Sequence, residues 1–323
     1  MKFDVLSVGD ATIDTFLFIH EAEVRMSLNK EVQQLCVNYA DKLPVDKIAR
    51  VVAGNAANNA VGSARLGLKT AYIATLGDDV QGWLIKNKLD KERIDTKFVV
   101  MNKKVETNSS TVLSFKGERT ILVFHADKKY SLPKKLAPTR FMYYTSVGKN
   151  HLKLNADVIQ YVKKTGARLG YNPGTYQLRA GSAALKSVIA VCEVLFVNKE
   201  EASRILGEQL EIKESLLALH KLGSKIVVIT DGSQGSYVYG GGTFYRMEIP
   251  DTKVVERTGA GDAFASGFMA ALAHGKDIPT AMTWGTLNSS SVIMFVGPQA
   301  GLLTPTAMKK FEKKIKKLHA VEI

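Results

Sequence analysis

Residues Arg257-Thr258-Gly259-Ala260-Gly261-Asp262-Ala263-Phe264 set two glycines and an acid at the head of an apolar segment in which Phe264, Phe268 and Leu272 recur every four residues before Gly275. That spacing predicts a helix opening near Ala260. Gly259 and Gly261 strip side chains from its N-terminus, so consecutive backbone N–H groups can close around an anion with the helix dipole behind them. Asp262 in the same turn is repelled by such an anion unless it has a task. The task that chemistry offers is accepting a proton from a hydroxyl that attacks an arriving phosphoryl group. An acid in a first turn also serves the dipole alone, and glycines also permit tight packing, so at the level of this motif both readings stand.

Periodicity supplies the elements that must hold this turn. Val5, Leu6 and Val8 form an apolar run ending at Gly9-Asp10, a buried first strand whose C-terminal end reaches Asp14. A polar stretch from Thr15 to Arg50 follows, and then a helix over Asn55 to Leu66, with Ala56, Ala60 and Ala64 at four-residue spacing and Gly67 to stop it. Tyr72 to Leu76 reads as the next strand. Val112 to Phe115 and Thr120 to Phe124 flank Lys116-Gly117-Glu118-Arg119, a hairpin in which Gly117 can supply a positive φ. From Met142 onward apolar runs alternate with helical patterns through Leu154 to Lys164, Val191 to Val197, Lys199 to Leu206, Leu216 to Leu222 and Ile226 to Thr230. Such alternation is the signature of a wound parallel sheet covered by helices, with its loops and ligands gathered on one edge. Lys309 to His319 reads as a basic amphipathic helix on the surface.

Composition narrows the classes. The chain has 323 residues, 46% hydrophobic and 23% charged, with 44 basic against 31 acidic residues for a net +13. This is a folding, globular composition with an anionic partner, for which ATP, a phosphosugar or RNA would serve. Cys36 and Cys192 stand far apart with no Cys/His cluster, which excludes a disulfide framework and a structural zinc site and suits a reducing cytoplasm. The first ten residues lack an apolar export core, and no run approaches about 18 apolar residues, so neither export nor membrane insertion is expected. G-x-x-x-x-G-K-[ST], H-E-x-x-H and G-x-S-x-G are absent, as is G-x-G-x-x-G after the first strand, so phosphate chemistry here must use a different loop.

Thr258-Gly259-Ala260-Gly261-Asp262 is similar to the C-terminal signature of the ribokinase-like (PfkB) carbohydrate and nucleoside kinases. Ala53-Gly54-Asn55-Ala56-Ala57-Asn58-Asn59-Ala60, with Arg65-Leu66-Gly67 and Gly77-Asp78-Asp79 after it, resembles the N-terminal one. Asn198-Lys199-Glu200-Glu201 matches the family's N-x-x-E, and Thr230-Asp231-Gly232-Ser233-Gln234-Gly235 its T-x-G-x-x-G. The resemblance covers nearly everything except about 16–47. It implies a three-layer α/β/α sandwich with a mostly parallel central sheet and a small β-sheet lid. The core would comprise 1–14, 49–97 and 128–323, and the lid 15–48 and 98–127.

Carried over position by position, the resemblance implies that Asp262 is the catalytic base and that the N–H groups of Gly259, Ala260, Gly261 and Asp262 hold the transferring phosphoryl. It implies that Asp14, Gly54, Asn55 and Asn58 face the acceptor, with Gly54 bare where substrate approaches the backbone. Asn198, Glu201, Thr230, Gly232 and Gly235 would face the nucleotide, with Asn288 and Ser289 near its base, and Glu201 would order Mg²⁺ through water. Asn198 and Glu201 also fit a capping box, and the Thr230 to Gly235 loop also fits a plain turn. Glu256-Arg257 stands where the family usually has Asp-Thr, which removes the support for a monovalent cation; Arg257 could supply a charge instead. Asn172 keeps only part of a family D-P-N-P.

The activity so implied is ATP-dependent, Mg²⁺-assisted phosphorylation of a hydroxymethyl group on a sugar or nucleoside, with a lid that excludes water and pairs two copies as a homodimer. A phosphosugar acceptor of the fructose 6-phosphate type would need cations, for which Lys103, Lys104, Arg119, Lys128 and Lys129 are available. A non-catalytic nucleic-acid binder would use the +13 charge, but no RNP-like or KH-like pattern accompanies it.

Overall fold

Phe141-Met142-Tyr143-Tyr144 is a strand without a polar face, and such a strand is stable only with helices on both sides of its sheet. The computed structural model, which describes residues 2–26, 33–116, 118–315 and 318–323, builds that arrangement. Ten strands form the large sheet, in the order Val321–Glu322, Thr243–Met247, Ser236–Gly240, Ile226–Thr230, Cys192–Asn198, Arg168–Tyr171, Phe141–Tyr144, Val5–Val8, Thr70–Gly77 and Asp95–Asn102. Pairing is parallel from Ile226–Thr230 to Asp95–Asn102 and antiparallel through the remaining three.

Leu6, Met142, Tyr144, Leu169, Leu195 and Val227 pack on one side against helices Leu152–Thr165, Ser182–Ile189, Lys199–Leu206 and Ile212–Lys221. Val5, Phe141, Tyr143, Val194 and Val228 pack on the other against Ala260–Ala273 and Ile278–Val292. Helices thus cover both faces of the sheet, the three-layer arrangement that the resemblance implies.

A separate four-stranded sheet runs Lys47–Ala53, Thr12–Phe18, Ser109–Phe115 and Glu118–Phe124, and Glu23–Met26 pairs with Gln33–Cys36. Its membership differs at the edges from the segments expected for the lid. Residues 98–102 continue the large-sheet strand Asp95–Asn102, whereas 12–14 and 49–53 lie in the small sheet. The strand Thr12–Phe18 was hidden inside a stretch read as polar because its buried residues Ile13, Asp14 and Phe16 follow no two-residue alternation.

Gly117 and residues 316–317 lie outside the described residues; beside Gly117 the hairpin places Lys116 at φ 50°. The C-terminal helix, expected to reach His319, is described over Pro305–Lys314. Among the described residues no helix is long and apolar enough to cross a membrane.

Helix Ala260–Ala273 is buried on nearly every face rather than on one stripe, because it is held between Asn55–Arg65 and Ile278–Val292. A Cβ on Gly62 would stand 2.3 Å from Ser266 Oγ, which is how closely the two signature-bearing helices approach.

Candidate active site

The turn before Ala260–Ala273 is built on Gly259, which has φ 80° and whose absent Cβ would stand 2.3 Å from Cβ of Pro298. Only glycine meets both conditions. Ala263 N–H donates to Gly259 O at 2.8 Å and Ala260 N–H turns back to Arg257 O at 3.3 Å. Among the described residues, the N–H groups of Gly259, Gly261 and Asp262 have no main-chain acceptor, so they, rather than that of Ala260, are ready for an anion. Glu256 braces the turn from below: its Oε1 accepts from Thr258 N at 2.7 Å and Thr258 Oγ1 at 2.6 Å.

Two cavities meet at this turn. One, of about 210 Å³, is lined by Asn198, Glu201, Thr230, Arg257 and the Gly259 to Asp262 turn. The other, of about 300 Å³, is walled by Asp14, Gly54, Asn58 and Ser110, and by Ile121, Val123 and Phe124 of the small sheet. Asp262, Asn55, Gly259 and Arg119 line both.

Asp262 is 6% exposed, and burial pushes its carboxyl up to about 6. Asn58 and Asn55 oppose that rise by hydrogen bonding, while the charges of Glu201 and Asp14 add to it. Asp14 is also pushed up to about 6 by burial, against the hydroxyls of Ser110 and Thr12, and its Oδ1 is buried with no hydrogen-bond partner among the described residues. A buried carboxylate oxygen left open in a cavity wall is suited to accept a hydroxyl from a ligand. The arrangement is thus an anion-binding turn on one side, a hydroxyl-accepting pocket on the other, and one carboxylate between them.

A sequence profile described as "pfkB family carbohydrate kinase" matches residues 19–305. The chain belongs to the PfkB carbohydrate kinase family. Its relatives include the ATP-dependent 6-phosphofructokinase of Thermoanaerobacterium thermosaccharolyticum, 26% identical over 92% of this chain and 89% of that one. They also include the 5-dehydro-2-deoxygluconokinase of Bacillus subtilis, 27% identical over 90% of each chain. The structure of Arabidopsis thaliana ribokinase complexed with ribose and ATP superposes with a TM-score of 0.80 at 21% identity, covering 97% of this chain and 99% of that one. The PfkB kinase therefore belongs to enzymes that transfer phosphate to a sugar or nucleoside hydroxyl.

Several expected site residues of the PfkB kinase fall elsewhere or act differently. Asn288 is fully buried: its Nδ2 donates to Ala263 O and Ser266 Oγ, and its Oδ1 accepts from Leu303 N. Both ends of that amide are spent tying helices together, so it does not face a nucleotide. Gly232 and Gly235 shape the turn between antiparallel strands and line neither cavity; of that loop only Thr230 does. Gly54 does line the acceptor cavity, but its missing Cβ would fall 2.6 Å from Ala11 Cα and 2.7 Å from Asp10 O. Its bareness serves the chain's own backbone. Asn198 and Glu201 form the full capping box, and both also line the 210 Å³ cavity, so the capping role leaves them in its wall. Asn172 also lines that cavity, with its Nδ2 bound to Phe196 O.

The basic residues collected for a phosphosugar do not assemble. Lys128 is buried, with Nζ 2.9 Å from Asp10 Oδ1 and 3.0 Å from Thr75 O, so its charge is already matched. Arg119 does enter, reaching within 3.7 Å of Glu256 Oε1. Residues that sequence reasoning passed over include His125, Asn108 and Gln299. His125 lines the acceptor cavity 3.6 Å from Asp10 Oδ2 with its ring edge-on to Tyr176. No local pattern marks it, because its partners Asp10, Asn108 and Tyr176 come from three separate segments.

Proposed function

We propose that this PfkB kinase transfers the γ-phosphoryl of ATP to the hydroxymethyl group of a neutral sugar or nucleoside. The single observation that carries the reading is that Asp262 stands in the shared wall of an anion-binding turn and a polar cavity. Asp262 accepts the hydroxyl proton as the oxygen attacks, and the N–H groups of Gly259, Gly261 and Asp262 hold the phosphoryl oxygens in a preorganised frame. Asp14, Asn55 and Ser110 orient the acceptor, and Asp14's open oxygen takes one of its hydroxyls. The neutralisation of Lys128 by Asp10 favours an uncharged acceptor over a phosphosugar.

Glu201 spends one carboxylate oxygen on its capping bond and lines the phosphate cavity, a donor set that suits a Mg²⁺ keeping most of its water. When bound, that ion supplies charge neutralisation at the phosphates. The small sheet acts as a lid: Ile121, Val123 and Phe124 exclude water from the acceptor, and Arg119 brings a positive charge to the junction. Strand Glu118–Phe124, exposed along its length at the edge of that sheet, would pair two copies. Free Cys36 and Cys192 suit the cytoplasm.

A panel of ribose and nucleosides as neutral acceptors, against a deoxygluconate and fructose 6-phosphate as anionic ones, read by phosphate transfer from ATP, tests the reading. Turnover of neutral acceptors with at least tenfold higher kcat/KM than fructose 6-phosphate is expected. Preference for the phosphosugar overturns the neutral-acceptor assignment.

A further inference from the structure

Gln299 lies 241 residues beyond Asn58, on the loop after the long helix Ile278–Val292, and its Nε2 donates to Asn58 Oδ1 at 3.0 Å. Asn58 Nδ2 in turn donates to Asp262 Oδ2 at 2.8 Å. Gln299, Asn58 and Asp262 are 5%, 3% and 6% exposed. We propose that Gln299 is a positioning residue for Asp262, acting through the amide of Asn58. The proposal rests on the reading of Asp262 as the base.

An amide has a donor end and an acceptor end, and a half-turn exchanges them. An ionised Asp262 needs the donor end of Asn58. The donor on Gln299 favours that orientation, because a turned Asn58 would set two N–H donors of the amides against each other and its own oxygen against a carboxylate. Gln299 is itself located by the helix that carries Asn58. Arg65, near the end of Asn55–Arg65, donates from Nη1 to Gln299 O at 2.7 Å and to Leu302 O at 3.3 Å. Its other edge grips Glu92 at 2.9 and 2.7 Å, a two-pronged pairing that fixes the guanidinium plane. Two residues of one rigid helix thus define both ends of the relay. Pro298, adjacent to Gln299, packs against Gly259, so this loop touches the phosphate turn and the base support together.

The groups facing Asp262 are Glu201 from helix Lys199–Leu206, Asp14 from strand Thr12–Phe18 and Asn55 and Asn58 from the first helix, with Arg119 and Arg257 in the same cavity. Among them the Asn58 bond favours the charged carboxylate.

The test uses the full chain with ¹³Cγ-labelled aspartate, the Asp262 resonance being assigned by its loss in Asp262→Asn. Its titration midpoint is compared in wild type, Gln299→Met and Gln299→Glu, alongside kcat and the KM for ATP across pH. The methionine keeps the volume of Gln299, so it tests the relay even if the glutamate does not fold. In Gln299→Met the midpoint is expected to rise by about one pH unit, because Asn58 loses the donor that orients its amide and its bond to the Asp262 carboxylate weakens. In Gln299→Glu, which turns Asn58 outright, it is expected to rise further. In Gln299→Met the kcat falls about threefold at pH 6.5, as the ionised fraction of Asp262 drops, and recovers toward pH 8.5, with the KM for ATP unchanged. A midpoint that stays in place in folded Gln299→Met, or a loss of kcat equal at every pH, overturns the relay. Retained turnover in Asp262→Asn instead overturns the base assignment.

Discussion

Asn58 and Asp262 are 204 residues apart in the chain and 2.8 Å apart in space, the amide of one donating to the carboxylate of the other. The bond joins the two signature segments into one unit. It arises because helices Asn55–Arg65 and Ala260–Ala273 pack with their N-termini at a common edge of the sheet, Gly62 letting Ser266 close against it. Asn58 therefore both bonds the Asp262 carboxylate and walls the neighbouring 300 Å³ cavity.

Asp262→Asn should lower kcat by about 10²- to 10⁴-fold, the usual span for general-base removal, while ATP binding measured by calorimetry persists. The same variant should melt at a higher temperature at pH 7.5. A carboxyl raised from 3.8 to about 6 costs the folded state on the order of 2–3 kcal/mol wherever the unfolded chain is ionised and the folded one is forced to be. That cost is full above about pH 6 and gone below pH 4, so the gain should fade as pH falls through that window. Loss of ATP binding together with turnover would instead place Asp262 in the nucleotide site.

Two carboxyls in one site, Asp14 and Asp262, are each pushed up to about 6 by burial and raised by like charges that include, for Asp262, Asp14 itself. Deprotonation makes both competent, so kcat/KM should rise with pH through about 6, and more steeply than one proton allows. Asp14→Asn should reduce the slope to that of a single group. A profile flat between pH 5 and 8 would remove both carboxylates from the mechanism.

Lys128→Met should destabilise the protein by about 3–5 kcal/mol, because it takes the lysine charge from the buried Asp10 and leaves only Tyr130 and His125 to hold it. Asp10 is held below the usual carboxylate range: burial opposes ionisation, but His125, Lys128 and Tyr130 outweigh it. A depressed carboxyl contributes stability above its unfolded value and loses it as pH falls through the folded one. The variant's deficit should therefore be full at pH 7 and shrink in strong acid, and adding Asp10→Asn should restore most of it. Chemical denaturation at pH 7 of the single and double variants measures this, and equal stabilities would show that the pair is inert.

How much of this could be read from the chain alone differs by element. Strand Ile226–Thr230 and helix Lys199–Leu206 were legible to the residue, because one is a continuous apolar run and the other a capped periodic one; the first strand was legible at its start, but it ends at Val8, and Asp14, expected at its end, lies in Thr12–Phe18. Thr12–Phe18 and Lys47–Ala53 were not, since a half-exposed strand such as Lys47–Ala53 looks like polar coil until its partner is known. The helix Ile278–Val292 escaped for the opposite reason: burial on most faces erases the amphipathic stripe. In the site, Gly259, Asp262 and Asn198 were readable as local motifs. Asn288 was misplaced because an amide in a helix shows its type but not which way it points.

What the order of residues determined by itself is local: a glycine turn that fits only glycine, a capping box four residues long, and an acid in the first turn of a helix. These depend on backbone geometry within a few residues, which the chain carries wherever it goes. The burial that lifts Asp14 and Asp262, the bond from Asn58, the Gln299 relay and the pairing of Lys128 with Asp10 were decided only by folding. Each depends on distance and dielectric between groups remote in sequence, and neither quantity exists until the sheet and its helices have closed around them.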